Sequence, residues 1–373
     1  MREQAVLDLL RREGPMSRAA IARCCRVSKP TVSTIVERML AARLVVERGR
    51  DTQANGRPGR LVAFNGALGF VVGMDVGGTT TRAVLADLEG RLVGALREPT
   101  EHGPADALVA HLRSIVQRLA SQAGVPGRVV DVAIGTPGVV DQARRRVAIA
   151  PNLPALETDG FLDRLDAALG VPLSLLNDVN AAALGELHHG AGVGLRDLVY
   201  VSVGTGLGFG VVIDGALHHG VGGRAGELGL VPYPPGSRST LEDAISGAGL
   251  RRRHQRAGGS GEPADAFLEA DEGREPGAAM VAAFLQDLVW ALSAVGTLLD
   301  PERIVLGGGI GLRCASRLAA IRPAVARAAG FDIDVASAQL GDDAGLHGAV
   351  ATALEPARSV QRWLRGGPLA RTV

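Results

Sequence analysis

The turn Asp75-Val-Gly-Gly-Thr-Thr80 closes an apolar run, Phe70–Met74, and has the composition of a phosphate cradle. Gly77 and Gly78 let backbone N–H groups approach an anion closely, and Thr79 adds a hydroxyl donor. Asp75 is tolerable beside phosphates where it meets Mg²⁺ or its waters. A second turn of this kind, Gly204-Thr205-Gly206, follows the apolar run Leu198–Val203, and a third, Gly307-Gly308-Gly309, follows Ile304–Leu306. Two such turns facing each other would hold one phosphate chain from both sides, and Gly308 and Gly309 would pack on a nucleobase. Any one glycine turn can be no more than a tight connection. Three, each after an apolar strand, make a pattern. Asp178 follows another apolar run, Leu173–Leu176, and opens an alanine-rich helix. It has two readings. A carboxylate there can accept the proton of a substrate hydroxyl attacking a γ-phosphate, or it can cap the helix, worth about 1 kcal/mol.

The elements that must position these turns repeat. Phe70–Met74, then Arg82–Asp87 and Arg91–Leu96 across a Glu89-Gly90 turn, give strand, glycine turn, strand, turn, strand. Leu198–Val203, Phe209–Ile213 and the strand ending at Leu217, across Asp214-Gly215, give the same order again.

The first 60 residues have a different character. They hold thirteen Lys/Arg against six Asp/Glu, whereas the remainder holds 27 against 33. The net charge of +1 therefore conceals a basic module and an acidic body, and a basic module suits a polyanion. Its pattern is helical. Ala5, Val6, Leu9 and Leu10 form one apolar face, and Ser17 opens a second short helix. Ser28 caps a third, with Pro30 in its first turn and Val32, Ile35, Val36, Met39 and Leu40 as a core stripe. The other face carries Lys29, Thr31, Ser33, Thr34 and Arg38, short polar groups and cations able to approach base edges and phosphates. Residues 28–42 thus read as the recognition helix of a helix-turn-helix. Strands Leu44–Glu47 and Arg60–Phe64 would make a wing, with Arg57 and Arg60 on a Gly/Pro-rich tip suited to a minor groove. Ser28, Lys29, Thr31, Ser33, Thr34, Arg38, Arg57 and Arg60 are the candidate DNA contacts. A helical protein-interaction module with an incidental basic loop is the alternative.

Composition narrows the rest. Cys24, Cys25 and Cys314 are too few for a disulfide framework and fit a reducing cytoplasm. Cys24 and Cys25 lack further ligands at metal spacing and read as packing. The N-terminus is polar, with no signal-peptide core, and no run of about 18 apolar residues suggests a membrane span. Lys29 is the sole lysine, so no lysine can act in the body.

Taken together, DVGGTT, IGTPGVVD, APNLP, NDVNAAALGE, VSVGTGLGFGVVIDG with GELG, and IVLGGGI resemble the ROK family (repressors, open reading frames, kinases) in the family's order over nearly the whole chain. The N-terminal module resembles that of its regulator branch, which includes xylose- and N-acetylglucosamine-type repressors. The resemblance implies an α/β fold, an actin-like (ribonuclease H-like) two-lobed body behind a winged helix, assembled as a dimer or tetramer. The domains expected are 1–66 for the winged helix, 67–180 for the first lobe with 345–373 returning to it, and 181–344 for the second. By resemblance Asp178 corresponds to the catalytic base of the kinases. Asn152, Asn177, Glu227 and Glu242 match positions that hydrogen-bond sugar hydroxyls, and Gly138 lines the same site.

The departures matter as much. Family members carry histidine after Glu-x-Gly, touching sugar and zinc, and a cysteine cluster follows. Here Leu230 follows Glu227-Leu228-Gly229, and 231–240 has no cysteine. Structural zinc is therefore expected to be absent, and the prolines at 232, 234 and 235 are candidates to hold the loop instead. His218 and His219 can replace the lost polar contact or simply end an exposed strand. Thr80 stands where the kinases have lysine. The expected function is a transcription regulator, a repressor, reading operator DNA and answering to a sugar or related metabolite. The alternatives are a sugar kinase using Mg-ATP with Asp178 as base, and a nucleotide-sensing scaffold. No cofactor is required by the first reading. The stretch 256–278, rich in glycine and charge, reads as a mobile surface segment, and the apolar helix from Gly277 to Leu299 as a subunit contact or deep core.

Overall fold

The computed structural model describes residues 2–50 and 59–365. Three helices open the chain, Arg2–Glu13, Arg18–Cys25 and Lys29–Ala41. Ser28 caps the third, its hydroxyl accepting from the Thr31 N–H at 3.3 Å, and Pro30 sits in the first turn, where no N–H is needed. The stripe Val32, Ile35, Val36 and Met39 is buried against Val6, Leu7, Leu10 and Ile21. Strands Val45–Arg50 and Arg60–Phe64 pair antiparallel. The first is longer and starts later than expected. A third strand was not expected: Met16–Ser17 adds to Leu61 and Val62, making a three-stranded sheet. The wing-tip residues 55–58, with Arg57, lie outside the described residues.

The body contains the same five-stranded sheet twice. In the first, Leu173–Asn177, Val129–Thr136 and Phe70–Val76 run parallel, and Thr80–Asp87 and Leu92–Pro99 continue antiparallel. In the second, Val335–Ser337, Arg303–Gly307 and Leu198–Val203 run parallel, and Leu207–Ile213 and Ala216–Leu217 continue antiparallel. This is the repeated strand-and-turn order of the sequence, completed by two crossover strands in each lobe. Helices Ala105–Gln122 and Phe161–Leu169 cover one face of the first sheet. Helix Gly277–Leu299 covers the second, burying Phe284, Leu288, Ala291, Leu292 and Val295.

Two helices join the lobes, Asp178–His189 and Ala344–Ala357. They cross with their backbones almost in contact. A Cβ on Gly185 would lie 2.0 Å from the Ala344 carbonyl oxygen, and one on Gly348 would lie 1.7 Å from that of Ala181. Only glycine permits this approach. The far end of Ala344–Ala357, with Val360 and Trp363, shares one continuous core with Val6, Leu7 and Leu10. There the Val360 N–H donates to Oε1 of Gln4 at 3.0 Å. The N-terminal module is therefore packed onto the outer face of the first sheet.

One expectation changes here. The stretch 256–278 is not a mere surface segment, because it contains the helix Pro263–Asp271, which buries Ala266 and Phe267 in the second-lobe core. Pro263 in its first turn starts a helix that glycine content had disguised. Helix Gly277–Leu299, with a mean hydropathy of 1.7, has the length and composition of a membrane span. Its apolarity serves the second-lobe core on one side, and Trp290 and Leu298 remain exposed on the other.

Candidate functional site

Asp178 begins the interlobe helix at the carboxyl end of Leu173–Asn177. Burial pushes its carboxyl up to about 6, reinforced by the charges of Asp75 and Glu227 and opposed by the Val179 N–H. That N–H donates to Asp178 Oδ1 at 2.8 Å. The capping role belongs to Asn177, whose Oδ1 accepts from Val179 at 2.9 Å and Asn180 at 3.2 Å. Asn177 Nδ2 donates to the Gly138 carbonyl at 3.0 Å, so both ends of this amide are engaged in holding two site turns together. A carboxyl near 6, ionised at neutral pH, is suited to accept a hydroxyl proton.

Asp75 is the penultimate residue of the strand Phe70–Val76. Its carboxylate Oδ2 accepts from Arg82 Nε at 3.2 Å and from Arg82 Nη2. The same guanidinium donates to the Asp342 carbonyl and, through Nη1, to Asp343 Oδ1 at 3.1 Å. Arg82 thereby joins the phosphate turn to the residues that lead into Ala344–Ala357. The carboxylate expected to face Mg²⁺ is paired with Arg82, which Asp343 shares.

The glycine turns are partly self-contained. The Gly77 N–H donates to the Thr80 carbonyl, and the Gly204 N–H to that of Gly206, both at 3.0 Å. Neither of these two N–H groups is free for a phosphate in this conformation. Gly78 packs on Asn152, placing the first turn against the 151–153 turn. Thr79, Thr205 and Gly206 are exposed. Gly204, Thr205 and Gly309 line one pocket of about 670 Å³ in the second lobe, with Gly247, Ala248, Arg251, Arg252, Glu262 and Arg313. Gly308 adopts φ +76°, where a Cβ would strike the Val203 carbonyl. Asp75, Gly77, Gly78 and Thr79 do not line that pocket.

Glu227 and Glu242 come from the second lobe. Burial, then the charge of Glu242, raises the Glu227 carboxyl. Glu242 Oε2 accepts from the Leu207 N–H at 2.9 Å behind the Gly206 turn. The 231–240 loop is held without thiolates. The Tyr233 N–H donates to the Ser239 carbonyl at 2.8 Å, its hydroxyl to Asp287 at 3.0 Å, and its ring lies 4.8 Å from that of Trp290. Thr240 and Asp243 close a capping box. His218 and His219 lie just beyond strand Ala216–Leu217.

On the N-terminal module, Ser28, Lys29, Thr34 and Arg38 are exposed and Thr31 and Ser33 half-exposed along one face of Lys29–Ala41. Two of the cations expected to be free are not. Arg38 donates to Glu3 at 2.5 Å, and Arg60 pairs with Glu47, which also accepts from Arg18 at 3.2 Å. Cys24 is exposed on the preceding helix rather than packed.

Sequence reasoning missed Arg82, Arg251, Arg252 and Arg313. The first was within reach, because a hairpin pairing Val76 with Thr81 sets Arg82 directly opposite Asp75. The others look like solvated helix arginines until tertiary structure lines a pocket with them.

Comparison with known proteins agrees with this architecture. The ROK family profile matches residues 71–355 and a MarR family profile residues 3–57. A glucokinase of Streptomyces coelicolor is 32% identical over 319 residues, covering 78% of this chain and 99% of the relative. The xylose repressor of Bacillus subtilis is 29% identical over 231 residues, covering 61% of this chain and 59% of the relative. The crystal structure of a ROK family transcriptional regulator, a homolog of the Escherichia coli MLC protein, superposes with a TM-score of 0.82 at 21% identity over 98% of both chains.

Proposed function

Because the chain belongs to the ROK family and carries a MarR-type winged helix ahead of the body, we propose that it is a transcription regulator, a repressor, that reads operator DNA and answers to a sugar or related metabolite in the interlobe cleft. The observation that carries the reading is the recognition helix Lys29–Ala41, whose polar face is exposed while its apolar stripe belongs to the same core as the body. A DNA-reading element fused rigidly to a ligand-binding body is what a ligand-controlled regulator requires. Asp178, Glu227 and Glu242 supply acceptors for sugar hydroxyls, and Asn152, packed on Gly78, supplies an amide. A homodimer would set two recognition helices against a two-fold operator. Footprinting on the DNA upstream of its own reading frame tests this. The native chain protects a discrete site, and Thr34→Ala with Ser33→Ala loses it. Protection that survives in the double variant would contradict the reading.

A second reading, an ATP-dependent sugar kinase, is favoured by Asp178, a carboxylate tuned near neutrality at the cleft, and by the likeness to a glucokinase over most of the chain. Sugar-dependent ATP turnover abolished in Asp178→Asn would support it, and no turnover across a broad sugar panel would sink it.

A further inference from the structure

We propose that the side-chain amide of Gln4 is the joint through which the cleft sets the orientation of the recognition helix, with Ala344–Ala357 as the connecting element. The proposal rests on reading the cleft as the ligand site of the regulator. Gln4 stands on the first helix, Arg2–Glu13. Its Oε1 accepts from the Val360 N–H at 3.0 Å. Its Nε2 donates to the Arg358 carbonyl at 3.4 Å and to Asp8 Oδ1 at 3.0 Å. Arg358 and Val360 directly follow Ala344–Ala357. The neighbouring side chain, Glu3, pairs with Arg38 of the recognition helix. Successive side chains on a helix point about 100° apart, so one turn of Arg2–Glu13 ties the body on one side and the DNA-facing helix on the other. Around the Gln4 contact, Leu354, Ala357, Val360 and Trp363 share a core with Val6, Leu7 and Leu10. Apolar burial holds the two parts together without direction, whereas a hydrogen bond fixes their register.

The opposite end of Ala344–Ala357 touches the ligand site. A Cβ on Gly345, in its first turn, would lie 3.7 Å from Cγ of Asp75 and 3.8 Å from the Asp178 carbonyl oxygen. Asp342 and Asp343, just before the helix, accept from Arg82, which also holds Asp75. The helix has 14 residues and so spans about 21 Å from the cleft towards the Gln4 contact. Its crossing with Asp178–His189 at Gly348 leaves no side chain between the backbones to absorb a shift. A ligand that moves Asp75 or Asp178 therefore presses on a helix whose other end is bonded to the DNA-reading module. Gln4 is a positioning residue, acting through the helix it orients.

The test is hydrogen exchange of the full chain, read by mass spectrometry on the peptide covering 2–13, and it needs neither effector nor operator. Arg82→Gln supplies the perturbation at the cleft end. In an otherwise native chain it is expected to change exchange at 2–13 by about twofold or more, the scale of coupling between connected residues. Joined to Gln4→Leu, the same substitution is expected to leave 2–13 as it stands in Gln4→Leu alone. A Gln4 that merely stabilised the module would raise exchange in Gln4→Leu and still pass on the Arg82→Gln effect, and that result overturns the proposal. So does an Arg82→Gln effect that never reaches 2–13. Should Arg82→Gln not fold, by circular dichroism, Asp343→Lys turns an exposed partner of Arg82 into a like charge and is read in the same way. Gln4→Met takes the place of Gln4→Leu should that variant unfold. Operator binding, read separately, reports on the regulator reading, so the two can fail independently.

Discussion

Glu47 restrains the DNA-facing charge of the N-terminal module, and removing its charge should make DNA binding tighter and more salt-sensitive. Its carboxylate pairs with Arg60, which is 69% exposed, and with Arg18, which is 28% exposed. The hydrogen bond from Arg60 is the largest cause holding the Glu47 carboxyl below its usual range. Glu47→Gln keeps the shape, deletes one negative charge and releases both guanidiniums. Each cation that then reaches a phosphate steepens the slope of log K against log salt by about 0.9. The expected change per protomer is therefore about 0.9 if Arg60 alone engages, and about 1.8 if Arg18 follows. Over a fourfold dilution of salt that is an added gain of about 3.5-fold to about twelvefold in affinity. Exposed ion pairs contribute little to stability, so folding should not confound the result. Fluorescence anisotropy on an operator duplex at graded salt reads the slope directly. An unchanged or shallower slope in Glu47→Gln would refute the placement of this strand pair beside the DNA backbone.

Three further outcomes follow from the body. Ligands whose hydroxyl donates to Asp178 should weaken as pH falls through about 6, because the protonated acid loses an acceptor, approaching about tenfold per pH unit below it. Asp178→Asn should flatten that profile in a binding titration. Gly348→Ala places a methyl 1.7 Å from the Ala181 carbonyl oxygen, forcing the two interlobe helices apart. Denaturant unfolding should show a loss of about 1–3 kcal/mol. Asp131 is 1% exposed and paired with Arg362, yet burial raises its carboxyl from 3.8 to about 6. An acid with a raised folded value contributes most below the unfolded value and loses that contribution as pH climbs through the folded one. The unfolding free energy of the native chain relative to Asp131→Asn should therefore fall by up to about 3 kcal/mol between pH values of about 4 and about 6. A flat difference would contradict the burial argument.

Much of this molecule is legible in its residues because its signals are local. The stripe of Lys29–Ala41 has helical spacing, Ser28 is a strong cap, and the strands preceding each glycine turn are continuous apolar runs. What escaped depends on partners distant in sequence. Met16–Ser17 is too short to carry a strand period and forms only because Leu61 and Val62 offer an edge. Pro263–Asp271 hides among glycines and charges, and Phe267 makes it a helix by finding the second-lobe core. Composition tells that the N-terminal module is basic, but not that Glu3 and Glu47 hold Arg38 and Arg60. In the same way Asp75 was visible, while the guanidinium that neutralises it emerges only from hairpin register.

The central claim, that a ligand in the cleft governs DNA reading by the N-terminal module, is tested most directly by one measurement. Fluorescence anisotropy of the full chain on the DNA upstream of its own reading frame would be recorded at two salt concentrations, with and without a panel of sugars and sugar phosphates. The account predicts sequence-specific binding that persists at the higher salt and that one metabolite strengthens or weakens. Binding that is weak, erased by salt and indifferent to every metabolite would contradict it.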